Sequence, residues 1–122
     1  MILVDTSIWI DHFRSTDLGL VRVLQEDQVL VHPFVLGELA LGMIAVRDRA
    51  LSYLSQLRKP ATATPDEVLE LIDRARLYGS GIGYVDVHLL ASALLTPGAR
   101  IWTRDERLAD VAERMGVALT PL

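Results

Sequence analysis

Apolar and polar positions alternate in blocks along this chain. Ile2-Leu3-Val4 is a short run of branched apolar residues closed by Asp5, the pattern of a strand buried on both faces at the centre of a parallel sheet. Thr6 and Ser7 supply hydroxyls suited to capping a helix over 7–14 that turns Ile8, Trp9 and Phe13 to one side. Asp17 caps a second helix over 18–26, with Leu18, Val21 and Leu24 on one face. Val29-Leu30-Val31 repeats the strand pattern. Pro33 opens an apolar helix expected to run to 46, and 47–58 forms another that must stop before Pro60. Residues 61–64 read as a short strand, 65–78 as a helix with an acidic first turn, and the glycine-rich stretch 79–83 as a break before a helix over 84–95. A strand over 100–103 leads to Asp105 at the head of a helix ending at Gly116, and 117–119 is a last short strand. Strands separated by helices predict right-handed βαβ units, a mostly parallel sheet and one α/β domain spanning residues 1–122.

Four acids stand out against this pattern. In open α/β sheets, ligands sit beyond the carboxyl ends of the strands, where Asp5 and Asp105 fall. Glu38 has Phe34, Val35, Leu41 and Gly42 one turn away, none of them polar, so it is expected to be paired or cation-bound; the alternative is a solvent-facing residue on a core helix. Asp86 likewise has Ile82, Gly83, Leu89 and Leu90 around it, and its alternative is an ordinary first-turn acid. Asp5 and Asp105 also read as plain helix caps. Brought together, such carboxylates repel one another unless a cation neutralises them, and a hard divalent ion such as Mg²⁺ suits an all-oxygen site.

Composition narrows the classes. The chain has 122 residues, 51% hydrophobic, enough for a core without staples. No apolar run approaches the ~18 residues of a membrane span, and the start carries no leader pattern, so a cytoplasmic, membrane-free protein is expected. Cysteine is absent, which removes disulfides and thiolate metal sites. A net charge of -4 argues against a protein held to nucleic acid mainly by a basic surface.

With these residues in view, the chain resembles the PIN-domain ribonucleases, most closely the VapC toxins of prokaryotic type II toxin–antitoxin pairs. The resemblance rests on Leu3-Val4-Asp5-Thr6-Ser7, on Leu36-Gly37-Glu38-Leu39, on the stretch from Gly83 to Ala91 containing Asp86, and on Thr103-Arg104-Asp105-Glu106-Arg107-Leu108. It implies a three-layer α/β/α sandwich about a sheet of about four to five strands. It also implies Mg²⁺- or Mn²⁺-dependent endonucleolytic cleavage of RNA, transfer or ribosomal. Asp5, Glu38, Asp86 and Asp105 fall on the family's acidic positions as catalytic residues and metal ligands, with Thr6 and Thr103 on its supporting hydroxyl positions. The reaction implied is attack of metal-activated water on a phosphodiester, leaving a 5′-phosphate and a 3′-hydroxyl. A cognate VapB-type antitoxin and a homodimer follow from the same resemblance.

Several residues carry weaker expectations. Arg104 and Arg107 are candidates for RNA phosphates, or else are solvated or paired with Glu106 or Asp110. Trp9, Phe13, Val35 and Leu39 are candidates for a groove receiving the antitoxin, with core packing as the alternative for each. The three histidines read as structural or surface residues. Rival classes fit less well. A haloacid-dehalogenase-like phosphatase needs a second Asp where Ser7 stands, a receiver domain needs a late lysine where only Lys59 exists, and no phosphate-cradling loop follows a strand. A PIN nuclease of RNA processing outside a toxin pair, and a noncatalytic RNA- or protein-binding module on this scaffold, remain as alternatives.

Overall fold

The computed structural model of the chain describes residues 1–119. Strand β1 (Ile2–Val4) leads directly into helix α1 (Thr6–Arg14), followed by α2 (Leu18–Gln25), β2 (Val29–Leu30), α3 (Pro33–Leu41) and α4 (Arg47–Ser55). Helices α5 (Pro65–Arg74) and α6 (Tyr84–Leu95), strand β3 (Arg100–Trp102) and helix α7 (Glu106–Arg114) complete the order. The sheet runs β2-β1-β3 and is parallel throughout, with Leu3 opposite both Leu30 and Ile101. One-residue parallel bridges of Arg58 to Leu30 and of Ala118 to Ile101 extend it to five positions. Helices cover it in an α/β/α sandwich, and the central strand contributes the fully buried Leu3 and Val4 to a core shared with Ile8, Leu89 and Leu108.

Five expectations about the elements are corrected. Helix α3 stops at Leu41, five residues short of the expected end, because Gly42 leaves the helical region. The Arg47 guanidinium then donates to the Ala40 carbonyl at 2.7 Å, satisfying an acceptor that the helix end strands. Helix α4 ends at Ser55, which frees Arg58 to bridge to β2 ahead of Pro60. The expected strand over 61–64 is absent, since the Thr64 hydroxyl instead accepts from the Glu67 amide while the Glu67 carboxylate accepts from the Thr64 amide, a reciprocal cap for α5. That helix closes at Arg74, four residues early, and the expected strand over 117–119 makes one bridge only. Among the described residues, no helix is long and apolar enough to cross a membrane.

Candidate active site

Strand register builds the centre of the site. Val4 lies opposite Trp102, so the next residues of the two strands, Asp5 and Thr103, emerge side by side at the carboxyl edge of the sheet. Asp5 is 7% exposed and its carboxylate is held from three directions. Its Oδ1 accepts from the Thr6 amide at 2.8 Å, capping α1, while Oδ2 accepts from the Thr103 hydroxyl at 2.7 Å and the Ser7 hydroxyl at 3.0 Å. Both hydroxyls are themselves anchored. Thr103 Oγ1 accepts from the Asp105 amide at 3.0 Å, and Ser7 Oγ accepts from the Arg104 amide at 3.1 Å. The loop carrying Asp105 is therefore sewn to the carboxylate of Asp5. Ser7 was read from sequence only as an alternative cap; its hydroxyl two residues beyond the strand-end acid was the available signal.

The other acids converge on this edge. Glu38 is exposed on α3, the outcome its apolar neighbours argued against: Phe34 and Leu41 are exposed with it. It is nonetheless tied in, since Thr6 Oγ1 donates to Glu38 Oε1 at 2.8 Å. Asp86, half-buried in the first turn of α6, accepts from the Gly83 amide through Oδ2 at 3.1 Å. Asp105 is exposed and caps α7, its Oδ1 accepting from the Arg107 and Leu108 amides at 2.9 and 3.1 Å. Each of these three carboxylates thus turns one oxygen to the protein, while its other oxygen accepts no hydrogen bond among the described residues. Burial pushes the Asp86 carboxyl above its ordinary value, opposed by the Gly83 amide and reinforced by the negative charges of Asp5, Asp105 and Glu38. The charges of Asp5, Asp105 and Glu38 thus lie near enough to act on Asp86.

Among the described residues, no three Asp, Glu or His side chains are drawn together into a finished metal-ligand set. The donor chemistry nevertheless fits a hard divalent ion. Mg²⁺ is bound through one or two carboxylates, keeps several waters and completes its shell with phosphate oxygens, so it needs no closed protein cage. Mutually repelling carboxylates with spare oxygens are that kind of donor set.

The weaker expectations divide. Arg104 pairs with Asp11 and, at 3.0 Å, with Asp17, which corrects the expected alternative partners Glu106 and Asp110 and places its charge on α1 and the turn before α2. Arg107 lies over the glycine loop, where a Cβ on Gly81 (φ +87°) would come within 2.8 Å of Arg107 Cδ. Trp9, Val35 and Leu39 are buried in the core, and of the four proposed groove residues only Phe13 lines an open groove, of about 400 Å³, with Ile10, Arg14, Met43, Ile44 and Ala45. Their spacing on apolar helices favours core packing over a groove, and the core takes three of them. The His12 Nδ1 accepts from the Asp17 amide at 3.0 Å and the His32 Nδ1 accepts from the Phe34 amide at 2.9 Å, capping α3. Burial, with a smaller effect of His88, lowers the pKa of His32 to about 4. His88 is buried with its ring edge-on to Phe34 and Tyr84, each centroid 4.7 Å away.

Comparison with known proteins then decides the family. Residues 2–114 match the PIN domain model. The chain belongs to the PIN-domain family. Over 119 residues it is 51% identical to Ribonuclease VapC32 of Mycobacterium tuberculosis (strain CDC 1551 / Oshkosh), covering 98% of this chain and 96% of that protein. The same figures hold for Ribonuclease VapC32 of strain ATCC 25618 / H37Rv. These values place this PIN domain with the VapC proteins along nearly its whole length.

Proposed function

We propose that this PIN-domain protein is a divalent-metal-dependent endoribonuclease, the toxin of a VapBC-type pair, with Asp5, Glu38, Asp86 and Asp105 as its catalytic acids. The observation that supports the reading is geometric: at the carboxyl edge of the sheet Thr103 ties Asp5 to the loop of Asp105, and Thr6, next to Asp5, ties in Glu38. Carboxylates gathered at one edge favour binding of positive charge. Asp86, Asp105 and Asp5 would hold a Mg²⁺ or Mn²⁺ ion, and Glu38 either joins them or orients the attacking water. Such an ion neutralises phosphate charge and lowers the pKa of water for in-line attack. The remaining work falls to the chain itself. Thr103 and Ser7 fix the Asp5 carboxylate, Thr6 holds one oxygen of Glu38 and leaves the other to orient or accept a proton from water, and the caps of α6 and α7 aim Asp86 and Asp105.

The three histidines take no part as bases in this scheme, since His12 and His32 spend Nδ1 on backbone amides and His88 is buried beneath two rings. Transfer or ribosomal RNA is the proposed substrate class and the cytoplasm the place of action. A VapB-type antitoxin segment is proposed to occupy the groove beside Phe13, and a homodimer to be the free form. Incubating the protein with total RNA in Mg²⁺ and in EDTA tests the reading: discrete cleavage products in Mg²⁺ alone, absent for Asp86→Asn, are expected. Cleavage undiminished in EDTA or by Asp86→Asn would overturn it.

A further inference from the structure

RNA binding by this chain has a charge problem. The net charge is -4, and Arg104, beside Asp105, is committed to Asp11 and Asp17. In that last motif phosphate contacts therefore fall to Arg107, and a single contact supplies limited affinity. Something else must hold the strand there.

Two exposed aromatic rings stand at the N-terminal ends of α3 and α6, the helices that carry Glu38 and Asp86. Phe34 is 42% exposed at the start of α3 and Tyr84 is 50% exposed as the first residue of α6. Phe34 shares a helix face with Glu38 four residues on, while Tyr84, two residues before Asp86 on α6, shares its face with His88 instead and meets Phe34 through that ring. Both rings rest on the buried His88, with interplanar angles of 61° and 84°, and the buried His32 packs edge-on to Phe34 at 5.1 Å. Burial of the imidazoles fixes the platform while the upper rings stay open. Isolated aromatics on a surface have no such footing. An unstacked base offers a flat π-face, carries no net charge and so meets no repulsion from the acids.

We infer that Phe34 and Tyr84 form a stacking platform for unpaired nucleobases of the RNA strand beside the scissile phosphate, holding single-stranded or looped RNA over the carboxylates. This deepens the ribonuclease reading and rests on it. Because stacking tolerates any base, the platform selects for unpaired RNA rather than for sequence.

The test uses the full chain bearing Asp5→Asn to stop cleavage, titrated with a short single-stranded RNA containing a fluorescent adenine analogue. Stacking quenches the analogue. Phe34→Leu and Tyr84→Leu are each expected to weaken binding by roughly ten-fold and to relieve quenching, whereas Phe34→Tyr and Tyr84→Phe retain both. The same Leu changes are repeated with Asp5 intact, where they are expected to raise KM for cleavage of the same RNA while leaving kcat nearly unchanged. Phe34 also packs on His88, so thermal unfolding accompanies each variant, and Tyr84→Leu decides alone if Phe34→Leu does not fold. Leu variants that bind and quench like their parent overturn the inference. So does a change confined to sedimenting mass, which would assign the rings to a protein contact. If the chain with Asp5 intact cleaves no RNA, the ribonuclease reading fails and the inference with it; if it cleaves and the Leu variants match it, the inference fails alone.

Discussion

Thr103 donates a 2.7 Å hydrogen bond to Oδ2 of Asp5, joining residues ninety-eight positions apart in sequence. The parallel register of β1 and β3 makes the contact, and the Asp105 amide behind Thr103 orients the hydroxyl. Thr103→Val keeps the side-chain shape and removes the donor. Loss of a hydrogen bond to a charged group is expected to lower stability by roughly 1.5 kcal/mol and to slow cleavage about ten-fold. Urea unfolding and initial rates measure the two effects separately. Ser7→Ala acts on the same oxygen, so the double variant should fall short of the sum of the singles.

Asp5→Asn preserves an acceptor for the Thr6 amide and so retains the cap of α1. Cleavage should fall by at least about a hundred-fold, while the fold is kept with a lowered unfolding midpoint, because the amide no longer accepts from the Thr103 and Ser7 hydroxyls. Asp5→Ala should lose the cap as well, which alone costs about 1 kcal/mol. Full cleavage by Asp5→Asn would remove this carboxylate from the mechanism.

Acid pH should weaken the fold through His32. Its imidazole is neutral in the native state because Nδ1 must accept from the Phe34 amide, and its pKa lies at about 4 against 6.5 when exposed. Between those values the unfolded chain binds the extra proton, so stability is full above pH 6.5 and declines as pH falls toward 4. The decline reaches at most about 3 kcal/mol from this group. His32→Asn, which caps without titrating, should flatten the dependence in urea titrations taken across that range.

Asp86 acts in the opposite sense. Its folded pKa lies above the ordinary 3.8, so the native state holds the proton more tightly and stability falls as pH rises through the interval above 3.8. Mg²⁺ should restore that loss, raising the unfolding temperature more at neutral pH than at acid pH, where protonation competes with the ion. A cation-induced shift that is the same for Asp86→Asn would sever the link.

The two arginines of the last motif should separate experimentally. Arg104→Ala removes half-exposed pairs to Asp11 and Asp17 and is expected to cost about 1 kcal/mol of stability. Arg107 is the freer guanidinium, so Arg107→Ala should weaken RNA binding and reduce its salt slope by roughly one. Filter binding over a salt series distinguishes them.

Elements with strong local signals were legible in the sequence. The apolar triplet before Asp5 and the glycine run before Tyr84 gave the central strand and the start of α6 at their observed places. Helix ends were less legible, because they depend on partners distant in sequence. Arg47 closing on Ala40 and Arg58 leaving its helix to pair with Leu30 are tertiary choices that helix propensity does not record. The same holds for the site. Each acid was visible as an apolar-context carboxylate or strand-end cap, but the Ser7 relay and the capture of Arg104 by Asp11 and Asp17 arise only when α1 meets the loop after β3. Glu38 shows the converse error, since apolar neighbours implied burial where several of those neighbours are themselves exposed.

The central strand is the first made and one of its two partners is among the last. While the polypeptide is being translated, β1 and α1 leave the ribosome with Asp5 lacking its neighbour Thr103, and with Asp86 and Asp105 not yet synthesised. Translation order thus leaves the Asp5 carboxylate without its Thr103 anchor, and one edge of β1 unpaired, until β3 emerges and docks.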